Sequence, residues 1–423
     1  MKMKKLISLL FIACVVWTLA SCGNGGDELQ IETLPTIIVP PVELDLQEEI
    51  NGQEEIPETS DEPFEGKIAI ITRYFVDYFS IGHVLPILAR YGEEKIIHEM
   101  WPLFIANDQD GAIMIIDELS NNLDVKVIIA NPVDFSWSIE GFERLREARE
   151  DIFLVFCVCS IRSSVNLPEQ IRETADLILM VDVIGTGAAM VRQAYKMGAE
   201  TFVHYSLHRH MDPSEFINNA RRDLIEQECA ELGIRFIEVK IPEDITWDSY
   251  YRRLFLREDI QRVIQNYGKD TAFFGHFANE ILWSVIEFGG IFPQPRDLFM
   301  SPFNPFLGTF DIHSSLDEDF IDIHLAAEKA ILSARRHLDE RGMRGRISNW
   351  PVPYEFMFTH AATEYAIKRL NGEVTSEGID VDVLRSIMEE YAGVNVYLTP
   401  FTNSETGEVH ENVLMMRMGY FIY

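Results

Sequence analysis

Short, continuous apolar segments alternate with amphipathic helical patterns along most of this 423-residue chain. A continuous apolar segment is typical of a strand buried on both faces, as in a parallel sheet covered by helices. Strand–helix alternation at this spacing predicts a doubly wound α/β fold. Nine strands within about 240 residues indicate two sheets rather than one. The predicted strands are residues 68–72, 96–101, 125–130, 152–159, 177–183, 200–206, 234–241, 271–277 and 298–303.

The chain is expected to pass between two lobes more than once. The first break falls after residue 183, where Gly185 and Gly187 precede a helix and form either a tight turn or an anion-binding loop. Later, a long helix over 317–341 and a proline-marked segment at 350–353 lead to a helix over 354–370. We therefore expect lobe 1 in residues 66–185, with a C-terminal return over about 350–423, and lobe 2 in residues 186–349.

The net charge of −32 is distributed unevenly along the sequence. Residues 23–65 contain thirteen acids, several prolines and neither Lys nor Arg. Like charges repel and proline stiffens the chain, so this segment is predicted to be a disordered acidic tether, or alternatively an acidic binding tail. The acidic balance of the whole chain argues against a nucleic-acid partner, because phosphate binding needs a concentrated basic surface.

The first 22 residues have the pattern of an export signal. Lys4 and Lys5 precede an apolar run over residues 6–19, which is too short for a membrane span of about 20 residues. The run ends in Leu-Ala-Ser-Cys-Gly, with the cysteine at Cys22, and this resembles a bacterial lipobox. The resemblance implies that Cys22 is the lipidated N-terminus of the mature protein, carrying fatty acids such as palmitate, and holds it on a membrane. The alternative is an ordinary signal peptide cleaved near Ala20.

Three segments carry a wider resemblance, covering residues 67 to about 302. They are the strand 68–72 followed by Tyr74 and Asp77, the segment 124–134 with Asn131 at its strand end, and the segment 271–280 leading into a helix. Together they resemble the type I periplasmic binding proteins, the two-lobed solute receptors of ABC importers. More narrowly, the chain is similar to an uncharacterised group of bacterial lipoproteins with this fold.

The resemblance implies a clamshell of two parallel-sheet lobes joined by a hinge. It also implies a small polar ligand, such as a sugar or nucleoside, and an ABC permease as partner. We expect a monomer without cofactor, metal or catalytic residues, in the extracytoplasmic cell envelope. The turn at 275–280 departs from the Asn-Asp usual in sugar receptors, which argues against a simple hexose or pentose.

Candidate ligand-binding residues follow the predicted strands, because ligands of open parallel sheets bind at the carboxyl ends of strands. Aromatic rings stack on ring-shaped ligands, while carboxylates, amides and imidazoles bind their polar groups. The predicted ligand-binding set is Tyr74, Asp77, Asn131, Asp182, His204, Tyr205, His208, His276, Asn279 and Glu280.

Two other functions have some support in the sequence, and a third, transcriptional repression, is excluded. The same clamshell could present its ligand-bound form to a signalling partner. Three histidines between His204 and His210 could hold a metal in an enzyme, although the chain has no Gly-x-Ser-x-Gly, Walker or His-Glu-x-x-His motif. A transcriptional repressor with these lobes would need a basic DNA-reading headpiece, whereas residues 1–65 are a signal and an acidic tether.

Overall fold

The computed structural model describes residues 64–72, 84–102, 109–133, 135–158, 169–207, 216–295, 334–403 and 406–423, which all belong to one unit, Thr59–Tyr423. The described strands are β1 (Lys67–Thr72), β2 (Ile96–Met100), β3 (Val125–Asn131), β4 (Phe153–Val158), β5 (Leu177–Val181), β6 (Thr201–Ser206), β7 (Arg235–Lys240), β8 (Thr271–Gly275), β9 (Phe292–Gln294), β10 (Ile347–Asn349), β11 (Val396–Thr402), β12 (Val409–Met418) and β13 (Phe421–Ile422). The described helices are α1 (Leu85–Tyr91), α2 (Gln109–Asn121), α3 (Phe135–Ala148), α4 (Glu169–Thr174), α5 (Thr186–Lys196), α6 (Phe216–Leu232), α7 (Ser249–Tyr267), α8 (Ala278–Phe288), α9 (Tyr354–Leu370) and α10 (Val381–Ala392).

The larger sheet has the strand order β11-β12-β5-β4-β3-β1-β2. Its strands are parallel except β11, which pairs antiparallel with β12. Alternate residues of β1 enter separate cores: Ile68 and Ile70 pack with α9 and α10, whereas Ala69 and Ile71 pack with α2 and α3. Helices therefore cover both faces, which is why the strands are apolar without alternation.

The second sheet repeats the same arrangement. Strands β7, β6 and β8 are parallel in that order, and β9 continues beside β8 through a parallel bridge between Ala272 and Ile291. Strand β10 pairs parallel with β9, and β13 pairs antiparallel with β10. Residues of α5 and α6 contribute to the core on one face, and residues of α7 and α8 to the core on the other.

Three short segments connect the two sheets. Residues 182–185 lead from β5 to α5, residues 350–353 from β10 to α9, and residues 419–420 from β12 to β13. The first and third segments leave the C-terminal ends of parallel strands in the larger sheet, and the second leaves the C-terminal end of a parallel strand in the other. The C-terminal edges of both sheets are consequently the edges that the connecting segments join.

The predicted α/β class with doubly wound parallel sheets is confirmed. Eight predicted strands have ends within two residues of the observed ones, and the ninth, 298–303, lies outside the described residues. Strands β9, β10 and β13 were not predicted, because two or three residues are too few to show a pattern, and the longer strands β11 and β12 were missed as well. The expected C-terminal return to lobe 1 stops at β12, since β13 pairs with β10. Among the described residues, no helix is long and apolar enough to span a bilayer.

Candidate functional site

Asn131 ends β3 at the C-terminal edge of the larger sheet and is fully buried. Its Nδ2 donates hydrogen bonds to the Glu355 carbonyl and to Thr359 Oγ1, each at 2.7 Å. The amide therefore fixes the first turn of α9 against the sheet. In this conformation the side chain is closed off from solvent, and a ligand contact by Asn131 stays a prediction.

Thr72, the last residue of β1, contacts His98 in the middle of the neighbouring strand β2. Thr72 Oγ1 and His98 Nε2 are 2.9 Å apart, and Thr72 is fully buried. Burial of the imidazole without a compensating anion lowers the pKa of His98 below its usual 6.5.

The lowered pKa of His98 predicts a loss of stability in mild acid. Above pH 6.5 the imidazole is neutral in both states, so its contribution to folding is fully present. As the pH falls below 6.5 towards the lower folded-state pKa, the unfolded chain binds the proton more readily and the free energy of unfolding decreases; the decrease levels off once both states are protonated. We expect His98→Gln to flatten this decrease in urea titrations at a series of pH values. Equal slopes for wild type and His98→Gln would contradict the prediction.

Asp182 lies in the first connecting segment, and its carboxylate links this segment to β12. One carboxylate oxygen accepts a hydrogen bond from the Gly185 backbone N–H at 2.8 Å, and the other lies 3.1 Å from Arg417 Nε. A Cβ on Gly185 would be 2.0 Å from that carboxylate, so a larger residue here would displace the Asp182 side chain. Gly185 is the N-terminal cap of α5, and Gly187, in the first turn of that helix, lets α5 approach the backbone of Arg221 on α6.

His204 and Tyr205 are consecutive on β6 and enter opposite cores. The His204 ring stacks on Phe274, with centroids 5.6 Å apart, and is 4 % exposed. Tyr205 is fully buried, and its hydroxyl donates a 2.9 Å hydrogen bond to Asp259 Oδ2. Burial and the neighbouring carboxylate raise the pKa of this phenol, so it stays protonated. Both side chains are packed in the cores on either face of the second sheet in this conformation.

The segment after β8 holds three of the predicted residues. His276 is exposed and its ring contacts Phe277 edge-on, while Asn279 is partly exposed in the first turn of α8. Glu280 instead accepts a 2.6 Å hydrogen bond from Arg252 Nη2 in an ion pair whose side chains are 17 % and 10 % exposed. Arg252 also lies over the Phe277 ring and donates to the Thr246 carbonyl. Glu280 is therefore held by its ion pair with α7, whereas His276 and Asn279 lie at the surface of the C-terminal edge of the second sheet.

Four predicted residues lie outside the described part of the chain: Cys22, Tyr74, Asp77 and His208. Within the described ranges, no cluster of His, Cys, Asp or Glu side chains could hold a metal ion. A cavity of about 340 Å³ lies by Lys269 and Asp270, which precede β8, and is also lined by Arg341. It is therefore at the N-terminal end of β8, opposite the edge that the connecting segments join.

Sequence reasoning missed two buried amides at the second connecting segment. Asn349 is the last residue of β10 and is fully buried, and Gln294 is its partner on β9 and is 5 % exposed. The only available signal was a polar residue before Trp350 and Pro351, where a strand too short to recognise ends.

A family model described as a protein of unknown function (DUF3798) matches residues 68–348. Two uncharacterised proteins of Treponema pallidum (strain Nichols) are similar in sequence. The first is 29 % identical over 148 residues, covering 35 % of this chain and 63 % of that protein. The second is 25 % identical over 170 residues, covering 39 % of this chain and 75 % of that protein. The chain thus spans less than two thirds of the first relative's length.

The solved structure of a candidate transcriptional regulator from Clostridium difficile 630 aligns with a TM-score of 0.69. The two sequences are 21 % identical, and the alignment covers 86 % of this chain and 100 % of that one. This similarity shows a shared fold. A sugar ABC transporter protein from Actinomyces odontolyticus aligns with a TM-score of 0.46 and 10 % identity, over 84 % of this chain and 95 % of that one.

Proposed function

Because the chain belongs to the DUF3798 family of proteins of unknown function, we propose its function from its geometry: it is a solute receptor that binds a small polar ligand between two lobes. The observation that carries this proposal is the junction of two parallel sheets at their C-terminal edges by three short segments. Ligands of open parallel sheets bind at that edge, and a ligand that contacts both lobes favours the closed arrangement. No covalent chemistry is involved, so the protein is not an enzyme.

The ligand is a small uncharged or weakly charged polar molecule, such as a sugar or nucleoside, delivered to an ABC permease. His276 and Asn279 support this proposal from lobe 2, since they lie at the surface of the relevant edge. Tyr74, Asp77 and His208 belong to the same proposed set on sequence grounds alone.

Co-purification tests the solute-binding proposal directly. We expect the natively purified protein to release one dominant small molecule on denaturation, identified by mass spectrometry. The same compound should raise the Tm of ligand-free refolded protein, because a ligand that binds only the folded state stabilises it. A refolded sample that no sugar, nucleoside, amino acid or peptide stabilises would count against a receptor.

Membrane attachment is the second part of the proposal and places the protein in the extracytoplasmic cell envelope. The lipobox predicts that Cys22 carries the lipid, and the acidic segment 23–65 then spaces the lobes from the membrane. We expect Cys22→Ser to abolish incorporation of labelled palmitate and to release the protein from membranes. Cys14→Ser, a change within the apolar run, is the matched control and should leave labelling intact. Equal labelling of both variants would contradict lipidation at Cys22.

A further inference from the structure

The end of β10 concentrates buried polar atoms without partners. Asn349 is 0 % exposed, and neither its Oδ1 nor its Nδ2 has a hydrogen-bond partner within the part of the chain that the structure describes. Gln294 Oε1 on the neighbouring strand and the indole Nε1 of Trp350 are likewise buried and unpartnered. Most buried polar side-chain atoms in folded proteins are hydrogen-bonded, so four such atoms on three neighbouring residues require an explanation.

The strand register places the two carboxamides side by side. Asn349 and Gln294 are direct partners in the parallel pair of β10 and β9. Residues two positions earlier, Ile347 and Phe292, pack into the core shared with α7 and α8, and alternation puts the two amides on that same face. The two amides are the last side chains on this face of the sheet, at its C-terminal edge and next to the connecting segment 350–353.

Asn131 shows how this protein treats a buried asparagine with a structural role. Both residues are fully buried at strand ends, yet Asn131 Nδ2 donates to two acceptors of α9. An unpartnered buried amide instead destabilises the folded protein by about as much as a lost hydrogen bond. An unpartnered amide at Asn349 is explained if its hydrogen-bond partner is a molecule from outside the chain.

We infer that Asn349 and Gln294 form a ligand subsite for an uncharged group with a hydrogen-bond donor and acceptor side by side. A carboxamide supplies one acceptor and one donor edge, which matches a hydroxyl pair or the lactam edge of a nucleobase. The subsite has no charge of its own, so nothing in it compensates the cost of burying an ionised carboxylate or phosphate. This inference rests on the proposed solute-binding function and assigns the polar class of its ligand.

The test uses the full chain in detergent with six probes measured by calorimetry and thermal unfolding. Uridine, inosine, glucose and ribose are uncharged, whereas ribose 5-phosphate and glutamate are ionised. We expect at least one uncharged probe to bind, and Asn349→Leu to weaken that binding by about tenfold or more. The Tm of the ligand-free variant should be unchanged or higher, because a leucine of similar size removes an unpaired polar group.

Asn131→Leu is the matched control. It should lower the Tm by several degrees, because the two acceptors on α9 lose their hydrogen-bond donor. An Asn349→Leu variant that loses Tm as Asn131→Leu does, with unchanged affinity, would overturn the subsite and give Asn349 a structural role. Binding of the ionised probes alone would overturn the ligand class. If no probe binds the unmodified protein, the solute-binding proposal fails and the subsite fails with it.

Discussion

Replacing Tyr205 by alanine is expected to lower the free energy of unfolding by about 3–5 kcal/mol. The ring is fully buried and faces Phe273, with centroids 6.4 Å apart, so truncation leaves a cavity in the core of the second sheet. It also removes the hydroxyl that Asp259 accepts from. Urea unfolding followed by circular dichroism measures the loss.

Tyr205→Phe separates packing from hydrogen bonding. It keeps the ring, and Arg262 Nε still donates to Asp259 at 3.1 Å, so we expect a loss of only about 1 kcal/mol. The sequence pattern placed Tyr205 among ligand-binding residues. A Tyr205→Ala protein that unfolds like wild type but has lost its ligand would restore that role and contradict the core assignment.

The second large expected effect on the free energy of unfolding comes from removing the Glu280 carboxylate. We expect Glu280→Ala to lower the free energy of unfolding by about 2–3 kcal/mol, because it leaves the guanidinium of Arg252 buried without its counter-ion. The remaining contacts of Arg252, with the Thr246 carbonyl and the Phe277 ring, keep the loss from being larger. Chemical denaturation at neutral pH is the appropriate measurement.

The same two helices provide a matched control. Glu287 on α8 pairs with Arg257 on α7, but the two side chains are 45 % and 49 % exposed. Solvent screens this pair, so Glu287→Ala should cost about 0–1 kcal/mol. Equal losses for the two variants would show that burial does not set the strength of the Glu280 pair.

Much of the fold could be predicted from the sequence because it depends on local patterns. The run from Ile68 to Thr72 is apolar at every position but the last, and this requires a strand covered on both faces. The helix Tyr354–Leu370 begins after Pro353 and was predicted with the observed ends. By contrast, β13 has two residues, and its pairing with β10 depends on a partner more than 70 positions away.

The candidate site was predictable only in its location. Strand ends identify an edge of the sheet, but they do not reveal which polar side chains there already have hydrogen-bond or ion-pair partners within the protein. Asn131 and Glu280 lie at this edge, and their partners Thr359 and Arg252 are distant in sequence or on another helix. The sequence could not show that the Asn349 amide lacks a partner, because a missing hydrogen bond becomes visible only when the neighbouring residues are placed.

The sequence by itself determined the α/β class, the positions of β1 to β8 and the uneven charge, since apolar periodicity and composition act over a few residues. The tertiary structure decided which polar groups at the C-terminal edges stabilise the protein and which lack partners. Hydrogen bonding and burial depend on contacts between distant segments, and only the folded chain brings those segments together.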